Sequence, residues 1–190
     1  MRVISGRCKG RTLIGPRSDQ IRPALDKVKQ ALFNILEPIA GTRVLDLFAG
    51  TGSIGIEALS RDAVEAIFVD GGEEALKIIR KNLELCSFQE TGKIIRARLP
   101  QDLPKLKKRL GTYDLIFVDP PYDKNLVNST LRALAPIKLL ADNGIVIVEH
   151  SPREPIAKDC GWNIFDQRKY GQTWISFLKE KTLARPGIIS

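Results

Sequence analysis

A chain of 190 residues, 43% hydrophobic and 27% charged with 15 Gly and 11 Pro, has the size and make-up of one folded domain and excludes a disordered, collagen-like or coiled-coil chain. Thirty Lys and Arg against 22 Asp and Glu leave a net charge of +8. Within residues 1–30 the basic side chains Arg2, Arg7, Lys9, Arg11, Arg17, Arg22, Lys27 and Lys29 face only Asp19 and Asp26, and a basic lobe on a near-neutral body predicts a polyanionic partner.

The first 22 residues mix Gly6, Gly10, Gly15 and Pro16 with the apolar pairs Val3-Ile4 and Leu13-Ile14, and read as a small β-hairpin or ordered arm. From Asp26 the period changes: Val28, Ala31, Leu32, Ile35 and Leu36 fall on one face of a helix that Pro38 stops. Val44-Leu45-Asp46-Leu47-Phe48 is strand-like and leads through a glycine-rich turn into a helix over 54–60. A strand over 66–70 precedes a helix with Leu76, Ile79, Leu83 and Cys86 on one side, and 93–96 is a weaker strand.

Leu115-Ile116-Phe117-Val118 and Ile145-Val146-Ile147-Val148 are continuous apolar runs, as strands covered on both faces require, with a helix over 125–134 between them. Such alternation predicts a doubly wound α/β fold whose parallel strands bind ligands at their carboxyl ends. Residues 163–168 and 173–178 flank Lys169-Tyr170-Gly171-Gln172 and predict an antiparallel hairpin at the sheet edge, followed by a fraying polar tail over 179–190. The expected organisation is a single domain over 1–190, with an extension and helix over 1–40, a core over 41–178 and that tail.

Cys8, Cys86 and Cys160 are sparse, odd in number and without metal-ligand spacing, which predicts no metal and reduced thiols in a cytoplasmic protein. Neither a leading apolar run nor 18 consecutive apolar residues occurs, so secretion and membrane spanning are not expected.

Two constellations carry chemistry. Gly50, Gly52 and Gly55 spell GxGxxG after a strand and at the mouth of a helix, and Asp70 ends the next strand. Glycines let backbone approach a ligand, free N–H groups at a helix start attract an anion, and a carboxylate at that strand end accepts from ribose hydroxyls. A dinucleotide or S-adenosylmethionine fits this pattern. Asp46, just ahead of the turn, favours the second, because a fixed negative charge opposes a polyphosphate and welcomes a cationic ligand.

The second constellation is Asp119-Pro120-Pro121-Tyr122 at the end of the fourth strand. Two prolines remove backbone donors and hold Asp119 extended. The Asp119 carboxylate and Pro120 carbonyl then form an acceptor pair for an exocyclic NH₂, and Tyr122 offers a face to a planar base. An ordinary carboxylate is too weak a base to deprotonate such an amine first. His150 is expected to be a hydrogen-bonded boundary residue, Trp162 and Trp174 to pack the hairpin, and Lys105, Lys107, Lys108 and Arg109 to form a solvated face.

Asp119-Pro120-Pro121-Tyr122 resembles the DPPY motif of amino-group methyltransferases acting on nucleic acid bases, and residues 46–52 resemble their S-adenosylmethionine loop. With Arg2-Val3-Ile4-Ser5-Gly6, Lys9-Gly10-Arg11, Arg22-Pro23, Phe33-Asn34 and residues 44–61, the likeness extends to Leu178. The chain is similar to the RsmD family, bacterial enzymes that methylate the N2 amine of one guanine in 16S ribosomal RNA.

The resemblance implies a Rossmann-like class I methyltransferase fold: a seven-stranded, mostly parallel sheet with an antiparallel last strand and a small basic β/helix extension. It implies S-adenosylmethionine lined by Asp46, Phe48, Gly50 and Gly52, with Asp70 on its ribose. Asp119, Pro120 and Tyr122 would grip the guanine, and Arg7, Lys9, Arg11 and Arg22 would meet phosphates of 16S rRNA in the small ribosomal subunit. A cytoplasmic monomer is expected. Arg98-Leu99 stands where relatives carry an acidic residue for the adenine amine, so no adenine contact is assigned. A DNA adenine or cytosine amino-methyltransferase, a non-catalytic RNA-binding assembly factor and an NAD-dependent oxidoreductase are the alternatives, and the last gives Pro120-Pro121 no role.

Overall fold

A computed structural model describes residues 1–15, 23–122 and 124–181. Arg22, the 16–22 part of the expected arm and the tail beyond residue 181 lie outside the described residues. The elements follow in the order α1 (Pro23–Leu36), β1 (Arg43–Leu47), α2 (Ser53–Ser60), β2 (Glu65–Asp70), α3 (Glu73–Leu85) and β3 (Gly92–Arg96). The short α4 (Leu103–Leu106), β4 (Tyr113–Val118), α5 (Leu126–Leu134), β5 (Leu140–His150), β6 (Trp162–Tyr170) and β7 (Thr173–Glu180) complete the chain. β7 runs past the expected core boundary at 178, so that boundary moves to Glu180.

The seven strands form one sheet in the order β3-β2-β1-β4-β5-β7-β6. β1 pairs in parallel with β2 and β4, β2 with β3, and β4 with β5. β7 is antiparallel to both β5 and β6, which gives the expected C-terminal hairpin. The chain leaves β1 toward β2 and β3 on one side and returns to β4 and β5 on the other, so a crevice opens beyond the carboxyl ends of β1 and β4.

Strand residues alternate between the two faces. Val44, Phe68, Leu115, Phe117 and Ile147 pack under α1, α2 and α3 with Phe33, Ile56 and Ile79. Leu45, Val69, Ile116, Val118 and Val148 pack under α4 and α5 with Leu103, Leu131 and Trp162. The apolar runs of β4 and β5 are thus read correctly as covered on both sides. On α1 the expected face is partly displaced: Ile35 is 41% exposed and Phe33 is fully buried, because the ring of Phe33 reaches Phe117.

The N-terminal arm is a hairpin laid along α2. Arg2 bridges Thr12, the Val3 amide donates to the Arg11 carbonyl, and the Gly10 amide donates to the Val3 carbonyl. A buried carboxylate fixes it: Glu57 accepts from the Ile4 and Ser5 amides at 2.8 and 3.0 Å, and is also met by Lys29 and Arg61. Asn82, fully buried, ties Ile14 of the arm to the Thr51 carbonyl. Among the described residues no helix is long and apolar enough to cross a membrane, and the three cysteines are free and buried.

Gly55 is where sequence reading assigned a ligand-facing role and the structure assigns an internal one. A Cβ at Gly55 would stand 2.3 Å from Cε1 of Phe68, so this glycine lets α2 settle on β2. Gly55→Ala is expected to destabilise the fold by about 1–3 kcal/mol through overpacking, read as a lowered urea midpoint at unchanged slope.

Candidate active site at the carboxyl edge of the sheet

Register explains why the acidic residues meet. Asp46 on β1 is opposite Phe68 on β2 and Phe117 on β4, and Phe117 is opposite Ile147 on β5. Asp70, Asp119 and Glu149 each lie two residues beyond those partners, so a period of two places all four carboxylates on the α1–α2–α3 face at one end of the sheet. Glu149 is the member that sequence reading passed over. Its signal was a single charge at the end of the buried run of β5.

Two adjoining cavities open there. The first, about 460 Å³, is lined by Phe48, Gly50, Asp70, Asp119, Pro120, Pro121, Tyr122 and Glu149. The second, about 550 Å³, is bounded by Asp46, Lys29, Ile54, Asp119, Glu149 and the β6–β7 turn at Tyr170-Gly171-Gln172. Phe48, Gly50, Asp119 and Glu149 belong to both. The structure therefore brings together Asp46, Phe48, Gly50, Asp70, Asp119, Pro120 and Tyr122.

Local geometry is tightly determined. Phe48 takes a left-handed φ of 63° and Gly50 one of 55°, turning the chain sharply at the end of β1. A Cβ on Gly50 would meet nothing nearer than 3.9 Å, so here the backbone faces open space. Gly52, with φ 76°, starts α2, and a Cβ there would meet Phe68 and Ile79 at 3.2 and 3.3 Å rather than the cavities. Asp46 accepts from the Gly55 amide at 3.1 Å, so its carboxylate satisfies the first turn of α2 and meets that helix's positive end. Asp70 accepts from the Gly50 and Gly72 amides at 2.9 and 2.8 Å, which fixes the turn it faces.

Tyr122 is placed differently from a free stacking face. Its hydroxyl lies 2.9 Å from Oε1 of Glu149, to which it donates, and 2.8 Å from Oγ1 of Thr173, so the ring walls the first cavity and is pinned to β5 and β7. His150 is fully buried between the Ser151 and Glu154 carbonyls and the Ser176 hydroxyl, in line with its expected bland role. Trp162 donates to the Leu131 carbonyl, and Trp174 packs edge-on against His150.

The electrostatics are unusual. Burial, only partly offset by the Gly55 amide, pushes Asp46 up from 3.8 to about 7. Asp119 is open to solvent through the cavity yet recessed among protein atoms, and desolvation followed by the charges of Glu149 and Asp46 raises it well above the ordinary carboxylate value. Desolvation raises Glu149 too, against the Tyr122 hydrogen bond. A crevice of recessed carboxylates at a helix start already capped by Asp46 fits a cationic cofactor such as S-adenosylmethionine and opposes a pyrophosphate. Lys29, another residue that sequence reading missed, is buried beneath the second cavity, bound to the Arg2 carbonyl and Ser53.

Arg7, Lys9 and Arg11 are placed away from this crevice. Arg7 bonds Asp62 and the Leu59 carbonyl and lies over Phe88, at the far end of α2, an eight-residue helix of about 12 Å. Arg7 is thus engaged in docking the arm, whereas Lys9 and Arg11 are exposed beside it.

The chain matches the family model described as "Conserved hypothetical protein 95" over residues 1–179. YlbH of Bacillus subtilis is 34% identical over 183 residues, covering 95% of this chain and all of that protein. Ribosomal RNA small subunit methyltransferase D of Haemophilus influenzae is 33% identical over 174 residues, covering 90% of this chain and 89% of its own. The solved structure of yhhF from Escherichia coli superposes with a TM-score of 0.80 at 28% identity, covering 96% of this chain and 99% of the other.

The raised Asp46 carboxyl makes stability depend on pH. Unfolded, it titrates near 3.8; folded, at about 7. The folded state therefore binds the proton more tightly, and stability falls as pH rises from 3.8 to 7 before levelling off. Asp46→Asn keeps an acceptor for Gly55 and removes this loss. The variant is expected to be more stable than the parent in urea unfolding, by a margin that widens between pH 5 and 8 to about 4 kcal/mol.

Proposed function

The chain belongs to the family of conserved hypothetical protein 95, the RsmD family, and from that premise we propose that it methylates the exocyclic N2 of a guanine in 16S ribosomal RNA of the small ribosomal subunit. The ribosomal RNA comes from the names of its relatives, among them Ribosomal RNA small subunit methyltransferase D. The observation that carries the reading is the place of Asp119 on the wall common to two cavities, one with Gly50 and Asp70, the other with Lys29 and the β6–β7 turn.

S-adenosylmethionine, held by Phe48, Gly50 and Asp70 with Asp46 behind them, would supply a methyl group on a positively charged sulfur. Asp119 and the Pro120 carbonyl accept the two amine hydrogens of a flipped or unstacked guanine, since a paired base cannot present its amine at this angle. Those two contacts draw the nitrogen toward a tetrahedral arrangement and aim its lone pair, which ring delocalisation otherwise keeps unreactive. Positioning of this kind contributes up to roughly 7–11 kcal/mol in ideal cases.

The structure changes one part of the sequence expectation. Asp119 is not an ordinary carboxylate: burial, Glu149 and Asp46 raise its proton affinity. As positive charge moves from sulfur to the amine nitrogen, Asp119 first stabilises it and then is fit to receive the proton that the methylated nitrogen sheds. Lys9 and Arg11, with Arg22, supply phosphate contacts that carry little sequence information, while Arg7 serves the arm they stand on.

Asp119→Ala is expected to lower methyl transfer to small-subunit RNA at least a thousandfold, on the order of 4 kcal/mol, while cofactor affinity by calorimetry changes little. An equal loss of both would overturn the assigned role. Replacing Lys9 and Arg11 by Gln is expected to flatten the dependence of log K on log salt by about 1–2 units, since each phosphate left unneutralised keeps its condensed counterion. Mapping methylated guanines in ribosomal RNA from cells lacking the protein then identifies the substrate position.

A further inference from the structure

We propose that Glu149 is the residue that selects guanine: its carboxylate accepts the N1–H that adjoins the amine held by Asp119. The inference rests on the guanine-N2 reading and adds to it the group that refuses other bases.

Glu149 and Asp119 are next neighbours across the β4–β5 pair. Val118 is opposite Val148 in a parallel register, so the following residues on each strand sit side by side, about 5 Å apart between backbones. Both line both cavities. Tyr122 takes one contact on Oε1 of Glu149 and steadies the side chain; an ionised carboxylate accepts about four hydrogen bonds, so acceptor capacity remains.

The three candidate bases differ at the atom beside the amine. In guanine, N2 is flanked by N1–H, a donor, on one side and by N3, a bare acceptor, on the other, and it is the N1–H side that we place against Glu149. In adenine, N6 adjoins N1, a bare acceptor, and in cytosine N4 adjoins N3, also a bare acceptor. Asp119 and Pro120 alone would accept any of the three amines. A second acceptor next to Asp119 completes a donor pair only for guanine and confronts a lone pair in the other two. Sites built to bond one substrate group reject analogues lacking it, because the site's own polar group is then left unpaired. No buried lysine or arginine contacts Glu149 among the described residues to cancel this preference.

The probe is a small subunit assembled on ribosomal RNA that carries, at the mapped position, either guanosine or the riboside of 2-aminopurine, which keeps the 2-amine but has a bare N1. The parent protein is expected to prefer guanine by at least tenfold in kcat/KM, about 1.4 kcal/mol. Glu149→Gln, whose amide donates to a bare N1, is expected to bring that ratio to within about threefold or invert it. Tyr122→Phe, which removes the other contact of Glu149, is expected to keep the ratio while lowering both rates.

Equal losses on the two substrates in Glu149→Gln, or a parent protein indifferent to N1, would overturn the proposal and leave Glu149 only the role of holding Tyr122. Failure of the parent to methylate the 2-amine of guanine at all would instead overturn the guanine-N2 reading. If Glu149→Gln does not fold, Glu149→Asp, one methylene shorter with its charge kept, tests the same ratio and is expected to reduce it.

Discussion

Recessed negative charge at one end of the sheet is the constraint on which the rest of the molecule depends. Asp46 is 3% exposed, and neither it nor Asp119 has a cationic side chain among the causes of its raised proton affinity. A carboxylate such as Asp46, withheld from water without a counter-ion, is costly unless it is protonated or a positive ligand arrives, and the cost is smaller for Asp119, which the cavity opens to solvent. The fold tolerates the arrangement because the cost falls at the crevice, where a cationic cofactor relieves it. A site of this kind is poorly matched to anything polyanionic at its centre, and the strong positive charge of the chain is accordingly kept elsewhere.

That separation explains the N-terminal arm. Its basic residues read from sequence as one RNA-binding lobe, but the structure divides them. Arg2 pairs with Asp26, Arg7 with Asp62, and Lys29 with Glu57, so three of these cations hold the arm to α1 and α2. Glu57 is the centre of this joint: a fully buried carboxylate satisfied by two backbone amides, Lys29 and Arg61. Lys29 shows the cost of the same burial from the other side, since desolvation lowers its pKa despite Glu57 and Asp26. The paired charges make the arm part of the domain, and Met1 of the arm joins Asp26 and Lys29 of α1 in walling the second cavity.

Much of the fold was legible in the sequence because parallel strands buried on both faces leave continuous apolar runs, and β4 and β5 announce themselves in that way. The glycine turn and Asp119-Pro120-Pro121-Tyr122 were legible as chemistry for a similar reason: local backbone demands select unusual residues. What escaped was set by pairing between distant segments. Glu149 becomes part of the site only through the β4–β5 register. Glu57 stands as one charge in the apolar run of α2 and is explained by an arm more than fifty residues away. Gly55 was assigned to a ligand because its spacing fits a motif, whereas the ring of Phe68 on the neighbouring strand is what excludes a side chain there.

The same register argument bears on how one scaffold can serve several bases. On the proposed function, an acceptor pair at the end of β4 would recognise an exocyclic amine and nothing more, since Asp119 and Pro120 belong to one short loop and present one short edge. Discrimination among amines would then need a second group beside the first, and the neighbouring strand offers one at the spacing of paired strands. β5 supplies that position, and its occupant is free to change without disturbing the turn that performs the transfer. In this chain the occupant is Glu149, an acceptor, braced by Tyr122, whose hydroxyl also meets Thr173. On that proposal reaction type and base preference would be carried by adjacent strands, and a donor at the end of β5 would turn the same crevice toward bases with a bare ring nitrogen.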